Sequence, residues 1–481
     1  MSESFNPASV TIRSAILKSF DGTQRDITLN FIGGFEINQS MDAVNYSGHI
    51  SVLDTAGVLE SLPIRGEETL ELEIISHDLD TRVRIVTRVH RVTDILPTPS
   101  SNGVTYKLHF ISDLSFKAST YSITKAYKTS VNTIAKKIFE DYFGELSSPD
   151  YLDQEDRSRT LPFATARYPI SGQDPERNFY IQPTVGLQNL IIPRLTPSEA
   201  MYFIASRGFN SETPSQTFRF FETLENYYFC TDEYFLRDIR AEDELDLFYA
   251  PSVDYTPEDR EQQINRIDSL RILSRGIDTS IDLYSGAYRS EVIELDFIRR
   301  RKDTIVFEFD NARYFDMSGT PVNQNDDSTQ PHTEAFREAT FGEDNVKKQF
   351  MVFRNFSREG DIPSALNNDL KLSEIIQNRV SYYHHLNNVV LSAGLKGRFD
   401  IRPGQIVNLR IKSFDGTENT ISRNTISGRY LVKTTTHVME EGTLNTGLTL
   451  VKFDWSVPAD ERRIESPEMP AGSTNTETNV Q

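Results

Sequence analysis

Histidines and clustered carboxylates are the side chains that most often carry chemistry, and this chain of 481 residues has two groups of them. His384 and His385 are adjacent in a helical pattern. Successive helix residues point about 100° apart, so the two imidazoles cannot share one metal ion and we expect them to pack between helices or at the surface. His77, Asp78 and Asp80 could hold a divalent cation, but a polar loop between strands is the simpler interpretation.

Cys230 is the only cysteine, which excludes an intrachain disulfide. It lies in an aromatic strand pattern far from any histidine, and this predicts a buried, inert thiol rather than a nucleophile. The sequence contains no glycine-rich phosphate loop, no nucleophile elbow and no HExxH zinc motif. The 70 carboxylates leave a glycosidase pair open, but no motif singles one out. We therefore expect no catalytic residue, no cofactor and no metal.

A basic run, Arg299, Arg300, Arg301 and Lys302, is unusual in so acidic a chain. It falls between one strand pattern that ends at Ile298 and another that begins at Thr304. A solvated hairpin turn would explain it. The alternative is a docking contact for an acidic partner or a neighbouring subunit, since complementary charge guides association.

The docking hypothesis has a direct test. Reversing these charges should weaken assembly, and the loss should vary steeply with salt because exposed charges are screened within about 8 Å at physiological ionic strength. Sedimentation of the assembled protein over a salt series measures this. Assembly that is unchanged by the reversal would leave only the turn interpretation.

The overall charge limits the partners. Lys and Arg number 51 against 70 Asp and Glu, a net charge of −19. A protein that reads a nucleic-acid sequence needs a basic footprint, so that class is excluded, whereas a surface past which DNA slides without sticking is compatible. No apolar run approaches the roughly 20 residues that span a bilayer, and the first residues lack the order of a signal peptide. We expect synthesis and folding in a cytoplasm.

Alternating patterns divide the chain into β domains with mixed segments between them. Residues 1–113 contain about six short strands, which suggest a small barrel or sandwich. Residues 114–263 predict an α+β insertion with two helices: Ser130 is an N-cap for the first, and Thr196 to Glu199 form a capping box for the second.

The remaining segments alternate in the same way. Residues 264–310 read as strands that contribute to a second β domain, and 311–388 as a loop followed by a helix over about Leu372 to Asn388. Residues 389–455 read as the second β domain itself. Residues 456–481 have the composition of a flexible tail. The predicted fold class is mainly β with an α+β insertion.

One short segment occurs twice. Lys18 to Thr23 and Lys412 to Thr417 both read KSFDGT, and a glycine-led strand begins twelve residues after each turn glycine. Two similar β domains at opposite ends of the chain would explain the repeat. Chance recurrence of a good hairpin turn is the alternative.

The region from Val389 to Trp455 carries the most specific pattern. A strand, a Pro-Gly turn and a second strand are followed by the strand SGRYLVKTTTHV, which ends near His437, and by a hairpin into TGLTLVKF. This order resembles the C-terminal tube domain of baseplate hub proteins from contractile-tailed phages. The N-terminal stretch ITLNFIGGFEINQSMDAVNYSGHISVLD is similar to the first barrel of that family.

The resemblance implies two tube-type antiparallel β-barrel domains that flank mixed α/β domains. It implies a homotrimer, in which three double barrels form a pseudo-sixfold ring between the sixfold tail tube and the threefold, cell-puncturing spike. The implied partners are the spike, tail tube initiator proteins, the tape-measure protein and baseplate wedge proteins. DNA would pass through an acidic or neutral lumen without sequence recognition. The implied location is the virion tail baseplate, assembled in the host cytoplasm, and the implied role is structural rather than enzymatic.

Other functions stay open at this point. A hub component of another contractile injection system would have the same pattern. A carbohydrate-active protein that degrades the host envelope, or a receptor-binding tail protein, would also be rich in strands and aromatic residues.

Overall fold

The structure is a computed structural model of the chain. It describes the residues in the following ranges: 8–28, 31–61, 64–76, 81–98, 103–149, 165–173, 175–210, 216–237, 245–249, 263–275, 279–296, 300–308, 348–353, 372–387, 389–411 and 426–452. The sequence-based predictions that concern residues wholly or partly outside these ranges include the cluster at 77–80, the basic run at its Arg299, the second KSFDGT segment, most of the loop in 311–349, and the tail at 456–481. None of the helices in the described part of the chain is long and apolar enough to cross a membrane.

The first β half packs its strands round one apolar core. Its strands are β1 (Val10–Lys18), β2 (Gln24–Asp26), β3 (Phe31–Ser40), β4 (Ser47–Asp54), β5 (Thr69–Ser76), β6 (Thr81–Thr98) and β7 (Gly103–Ser112), with the short helix α1 (Val58–Ser61). They pair in the order β3-β4-β7-β6-β5-β1-β2. Inward residues alternate with outward ones, as in β5, where Leu70, Leu72 and Ile74 are buried.

The insertion follows as a mixed α+β unit with an aromatic core. Its elements are α2 (Asp113–Ser119), β8 (Ile123–Thr129), α3 (Val131–Tyr142), β9 (Ala166–Pro169), β10 (Asn178–Ile181), β11 (Gln188–Leu195), α4 (Pro197–Ala205), β12 (Phe218–Glu222), β13 (Asn226–Thr231) and α5 (Asp232–Arg237). Ser130 is the N-cap residue of α3, and the capping box of Thr196 and Glu199 opens α4, so both predicted helix starts are confirmed. Phe139 on α3 stacks on Phe179 at 4.2 Å.

The second β half uses strands from both sides of a long stretch of chain. Its strands are β14 (Leu245–Tyr249), β15 (Ile267–Arg275), β19 (Val389–Lys396), β20 (Ile406–Ile411), β21 (Gly428–Glu440) and β22 (Thr443–Lys452). A bridge between Phe248 and Arg266 closes the circuit from β15 back to β14. β14 lies in the segment predicted to be insertion, but it pairs with β20 in the second half. The sequence could not predict this, because a five-residue strand has no local feature that identifies a distant partner.

The strands predicted over 264–310 divide between two sheets, which corrects the prediction that they all contribute to the second β domain. β15 joins the second half, whereas β16 (Arg289–Asp296) pairs with β17 (Arg301–Glu308) and β18 (Gln349–Phe353) in a separate three-stranded sheet. Between them, residues predicted as strand form helix α6 (Thr279–Ser285). The helix α7 (Leu372–Leu386) confirms the predicted C-terminal helix and lies against this sheet, where Gln377 donates to the carbonyl of Ser290 at 3.1 Å.

The two halves are joined edge to edge. The C-terminal part of β21 pairs antiparallel with β3, from Thr434 opposite Ser40 to Glu440 opposite Gly34. This pairing fuses strands from the two halves into one sheet of 13 described strands. The prediction of a mainly β fold with an α+β insertion is confirmed.

The joined sheet repeats one arrangement of four strands. The order β15-β19-β22-β21 is followed by β3-β4-β7-β6. Each group of four consists of one antiparallel pair (β15-β19 or β3-β4) beside a hairpin (β21-β22 or β6-β7). The long strands β6 and β21 both carry a bulge, between Val89 and Arg91 and between Val432 and Thr434. Next to each bulge the valine N–H donates to the carbonyl of the residue just before an outer strand, Val89 to Glu68 before β5 at 2.8 Å and Val432 to Gln405 before β20 at 2.9 Å.

The turn that precedes each outer strand is also repeated. Glu68 accepts from the backbone N–H of Arg65 at 2.8 Å, and Gln405 accepts from that of Arg402 at 3.4 Å. β20 therefore occupies the place of β5. The two KSFDGT segments instead follow β1 and β20, which are not equivalent strands, so the repeat of this hexapeptide does not mark the repeat in the fold.

Candidate functional site

A buried ion pair fixes the insertion to the first β half. Arg177, just before β10, meets Glu222 at the end of β12 with an N–O distance of 2.7 Å, and both side chains are buried. Glu222 also accepts from Ser112 at 2.5 Å and from Ser115 at 2.9 Å, where β7 passes into α2. The two buried charges are paired with each other, which is the condition for a buried charge to be tolerated, although the Nε of Arg177 has no hydrogen-bond partner among the described residues.

The rest of the cluster surrounds the guanidinium group. Arg177 donates to the carbonyl of Thr223 at 2.6 Å and lies 4.6 Å from the centre of the Tyr227 ring. The ring centre of Tyr46, the residue before β4, lies 5.8 Å from the guanidinium carbon. Burial alone would lower the pKa of Arg177, but the Glu222 carboxylate outweighs it and raises that pKa. The cluster is therefore a permanently charged joint between three segments of the chain.

A second charged cluster gathers four parts of the chain around Asp42, in the turn after β3. Arg219 on β12 forms ion pairs with Asp42 and with Asp232 at the start of α5, the latter at 2.5 Å. Lys433 on β21 reaches Asp42 at 3.0 Å, and Tyr202 on α4 donates to the Asp42 carbonyl at 2.8 Å. Burial opposes the charged form, yet Arg219 and Lys433 together lower the pKa of Asp42. The turn between β3 and β4 is thus held by the insertion and by the second half at once.

Polar side chains are buried along the seam between β3 and β21. Gln39 donates to Thr435 at 3.2 Å and accepts from the backbone N–H of Leu224 in the insertion at 2.9 Å. His437 lies 3.5 Å from Gln39 and 3.2 Å from Thr446. Burial lowers the pKa of His437 to about 4, so the ring is neutral at physiological pH. This polar row fixes the register of the seam, since a slip of one residue would leave each of these groups without its partner.

The opposite side of the joined sheet presents small polar residues across six strands. We call it the polar face; its residues are Glu36, Asn38, Ser40, Ser47, His49, His109, Ser392, Gly394, Lys396, Thr434, Thr436, Val438, Asn445, Gly447 and Thr449. Thr434 donates to Thr449 at 2.7 Å, and Thr436 donates to Asn38 at 2.8 Å. Its charged members are Glu36 and Lys396. Lys107 on β7, Arg91 on β6 and Arg271 on β15 extend the same side of the sheet, where Lys107 pairs with Asp94 at 3.2 Å and Lys396 with Asp268 at 3.6 Å.

The basic run lies on a hairpin, as its position between two strands predicts. Arg300 is in the turn with a φ of 51°, Arg301 and Lys302 open β17, and all three are exposed. Arg301 pairs with Asp303 at 2.7 Å. Arg299 lies outside the described residues. The geometry fits both the solvated turn and the docking contact, so the docking role of this run stays a prediction.

The other candidates have ordinary surroundings. Cys230 is buried, as predicted, and its thiol faces the carbonyl of Tyr180 at 3.8 Å. His384 is partly exposed on α7. Among the described residues no group of histidine, cysteine and carboxylate side chains could hold a metal ion.

Sequence reasoning missed the residues of both charged clusters. Arg177 falls in a polar stretch interpreted as loop, and Asp42 in a turn, where charge is expected. Glu222 gave the one available signal, because it occupies an inward position in the alternating pattern of β12. A carboxylate at such a position needs a buried partner.

We predict that Glu222→Leu lowers the free energy of unfolding by about 3–5 kcal/mol, because it leaves the Arg177 guanidinium buried without a counter-ion. The double variant Arg177→Met with Glu222→Leu should recover most of this loss, since it removes both charges. Urea unfolding measures both. As a control, Asp141→Asn breaks the exposed pair with Lys125 and should cost no more than about 1 kcal/mol. A double variant as unstable as the single one would contradict the ion-pair explanation.

We also predict a pH dependence from His437. Its pKa is about 4 in the folded chain and about 6.5 when unfolded, so protonation favours unfolding. The contribution of the neutral His437 ring to the free energy of unfolding is fully present above about pH 6.5. It is lost as the pH falls towards 4, and the total loss is about 3 kcal/mol. Urea midpoints between pH 7.5 and 4.5 should fall less steeply in His437→Gln than in the parent. Equal slopes in the two proteins would rule out His437 as the cause.

Comparison with known proteins gives structural likeness alone. No protein-family model matches the chain, and no curated protein sequence matches it. A tail protein from Neisseria meningitidis MC58 is 11% identical, with a TM-score of 0.47 over 94% of this chain and 99% of that one. The 43 kDa tail protein of prophage MuSo2 from Shewanella oneidensis is 10% identical, with a TM-score of 0.46 over 93% and 100%. The E. coli c3393 protein, a component of the type VI secretion system, is 9% identical, with a TM-score of 0.38 over 93% and 78%.

Proposed function

We propose that this chain is a structural, non-enzymatic subunit of a phage baseplate hub. Three copies would form a ring that joins the tail tube to the spike and surrounds a channel. The observation that carries the proposal is the joined sheet, in which one four-stranded arrangement occurs twice, edge to edge, in a single chain. Three such chains present six similar units, which suits a junction between sixfold and threefold parts.

The polar face suits the wall of that channel. A wall rich in Lys and Arg would hold the phosphates of passing DNA, because each neutralised phosphate adds to affinity through counter-ion release. The polar face instead consists mainly of Ser, Thr, Asn and Gly, and the lysines on this side of the sheet, Lys107 and Lys396, are paired with aspartates. DNA and a tape-measure protein could move along such a wall without being bound.

The charged clusters suit a part that transmits force. A hub must keep its shape while the tail contracts, and the insertion is fixed to the first half by Arg177 and Glu222 and to both halves through Asp42. The partners that we propose are the spike, the tail tube initiator and tape-measure proteins, and the baseplate wedge. The virion baseplate is the proposed location, with assembly in the host cytoplasm.

The molar mass of the purified chain tests the proposal. Light scattering should give about three times the chain mass of 54.9 kDa. Class averages of the same peak by electron microscopy should show an open lumen with six similar lobes. Compact monomers without a lumen at every concentration would contradict the ring.

A further inference from the structure

We propose that the second half of β6, from Arg91 to Leu96, adds as an antiparallel strand to the open edge of β15 in a second copy of this chain. The inference rests on the proposed ring and specifies which strand edges close it. It follows from the repeat within the joined sheet, where the same two kinds of edge already meet once.

The first edge is that of β6, which occupies in the group β3-β4-β7-β6 the position that β21 occupies in the group β15-β19-β22-β21. The beginning of β21 pairs with the outer strand β20, and its end, beyond the bulge, pairs with β3. The beginning of β6 pairs in the same way with β5, from Arg88 back to Thr81. Beyond its bulge, β6 pairs only with β7 in the described part of the chain, so its other edge has room for a strand.

The second edge is that of β15, which occupies in its four-stranded group the position that β3 occupies in the other group. β3 pairs with β4 on one side and with β21 on the other. β15 pairs with β19 as β3 does with β4. Its other edge meets β14 only at the start, through the Phe248–Arg266 bridge, and from Ser269 onwards no described strand pairs with it. Each chain therefore has one edge of each kind to offer. Each free edge has one residue more than its counterpart at the internal seam, between Thr93 and Leu96 on β6 and between Ile272 and Ser274 on β15, so the two edges keep matching lengths.

Exposed apolar side chains mark both edges. Ile95 and Leu96 on β6 are 52% and 62% exposed, and Ile272 and Leu273 on β15 are 40% and 51% exposed. The residue in β3 that corresponds to Ile272 is Ile37, and it is fully buried at the internal seam. Apolar residues that stay exposed in one copy of an interface, and are buried in the other, indicate a surface that is completed by a partner.

The internal seam also gives the register. Val438 on β21 faces Glu36 on β3, and the corresponding residues are Leu96 on β6 and Arg271 on β15. The new ladder should therefore place Leu96 opposite Arg271. Pro97 has no backbone N–H and ends the ladder there, which limits the interface to a short segment.

A head-to-tail contact of this kind closes only if the rotation between copies completes a ring. The internal seam already sets the rotation between neighbouring four-stranded groups. If the contact between chains repeats it, three chains give six groups, and neither the β6 edge nor the β15 edge remains open. An unclosed series would leave exposed edges that aggregate.

Disulfide cross-linking tests the register. We would express the full chain as Leu96→Cys with Arg271→Cys and oxidise it at micromolar concentration. Directly opposed residues of an antiparallel pair lie within disulfide reach, whereas the native Cys230 is buried. We expect most of the protein to run at two and three times the chain mass on a non-reducing gel and to return to one on reduction. Ile191→Cys with Arg271→Cys is the control, because Ile191 is 69% exposed but lies on the insertion.

A second variant tests the edge without oxidation. Ile272→Asp should reduce the trimeric fraction in light scattering at least tenfold, and Ile191→Asp should leave it unchanged. A parent protein that is trimeric, with no cross-link and no effect of Ile272→Asp, would overturn the edge pairing and leave the ring standing. A protein that stays monomeric and uncross-linked would overturn both. Cross-links that extend beyond three chains would support the edge pairing and contradict the closed ring.

Discussion

The pairing of β3 with β21 is the constraint on which the rest of the fold depends. It joins residues 34–40 to residues 434–440, so it forms only when almost the whole chain is in place. The backbones approach closely, since a Cβ at Gly34 would overlap the carbonyl oxygen of Met439. Glycine is therefore required there. Because the pairing closes so long a loop, its entropy cost must be offset by other contacts that are lost if the seam opens.

The two charged clusters contribute part of the free energy that offsets this entropy cost, because opening the seam would also break their ion pairs. Asp42 receives Arg219 from the insertion and Lys433 from the second half, so neither segment can leave without stranding a buried or half-buried charge. A buried ion pair adds little net stability compared with an apolar pair of the same shape, but removing one partner is costly. Such clusters therefore select one arrangement of the segments rather than deepening the core, which is what a part of fixed geometry requires.

Local signals made the elements predictable and left their partners unpredictable. The Ser130 cap, the Thr196 capping box and the alternating strands were predicted because each is written in a few adjacent residues. The separate sheet of β16, β17 and β18 and the transfer of β14 to the second half depend on pairing between distant segments, which periodicity does not encode. The two KSFDGT segments follow β1 and β20, which occupy different places in the repeat of the fold, so this local match did not locate that repeat. Arg177 and Glu222 could not be matched from sequence, although an inward glutamate signalled that a partner existed.

A single chain with two open sheet edges must avoid pairing with the wrong strands, and the residues at these edges serve that end. Pro97 removes a donor, and Asp94 adopts a φ of 55°, so the free end of β6 is an irregular template that few strands can match. Arg271 places a charge on the edge of β15, which disfavours stacking of like edges. A net charge of −19 adds repulsion between chains, which salt screens beyond about 8 Å, and only a matched ladder with apolar cover outweighs what remains. Together these features favour one head-to-tail contact over the many edge-to-edge contacts that lead to aggregation.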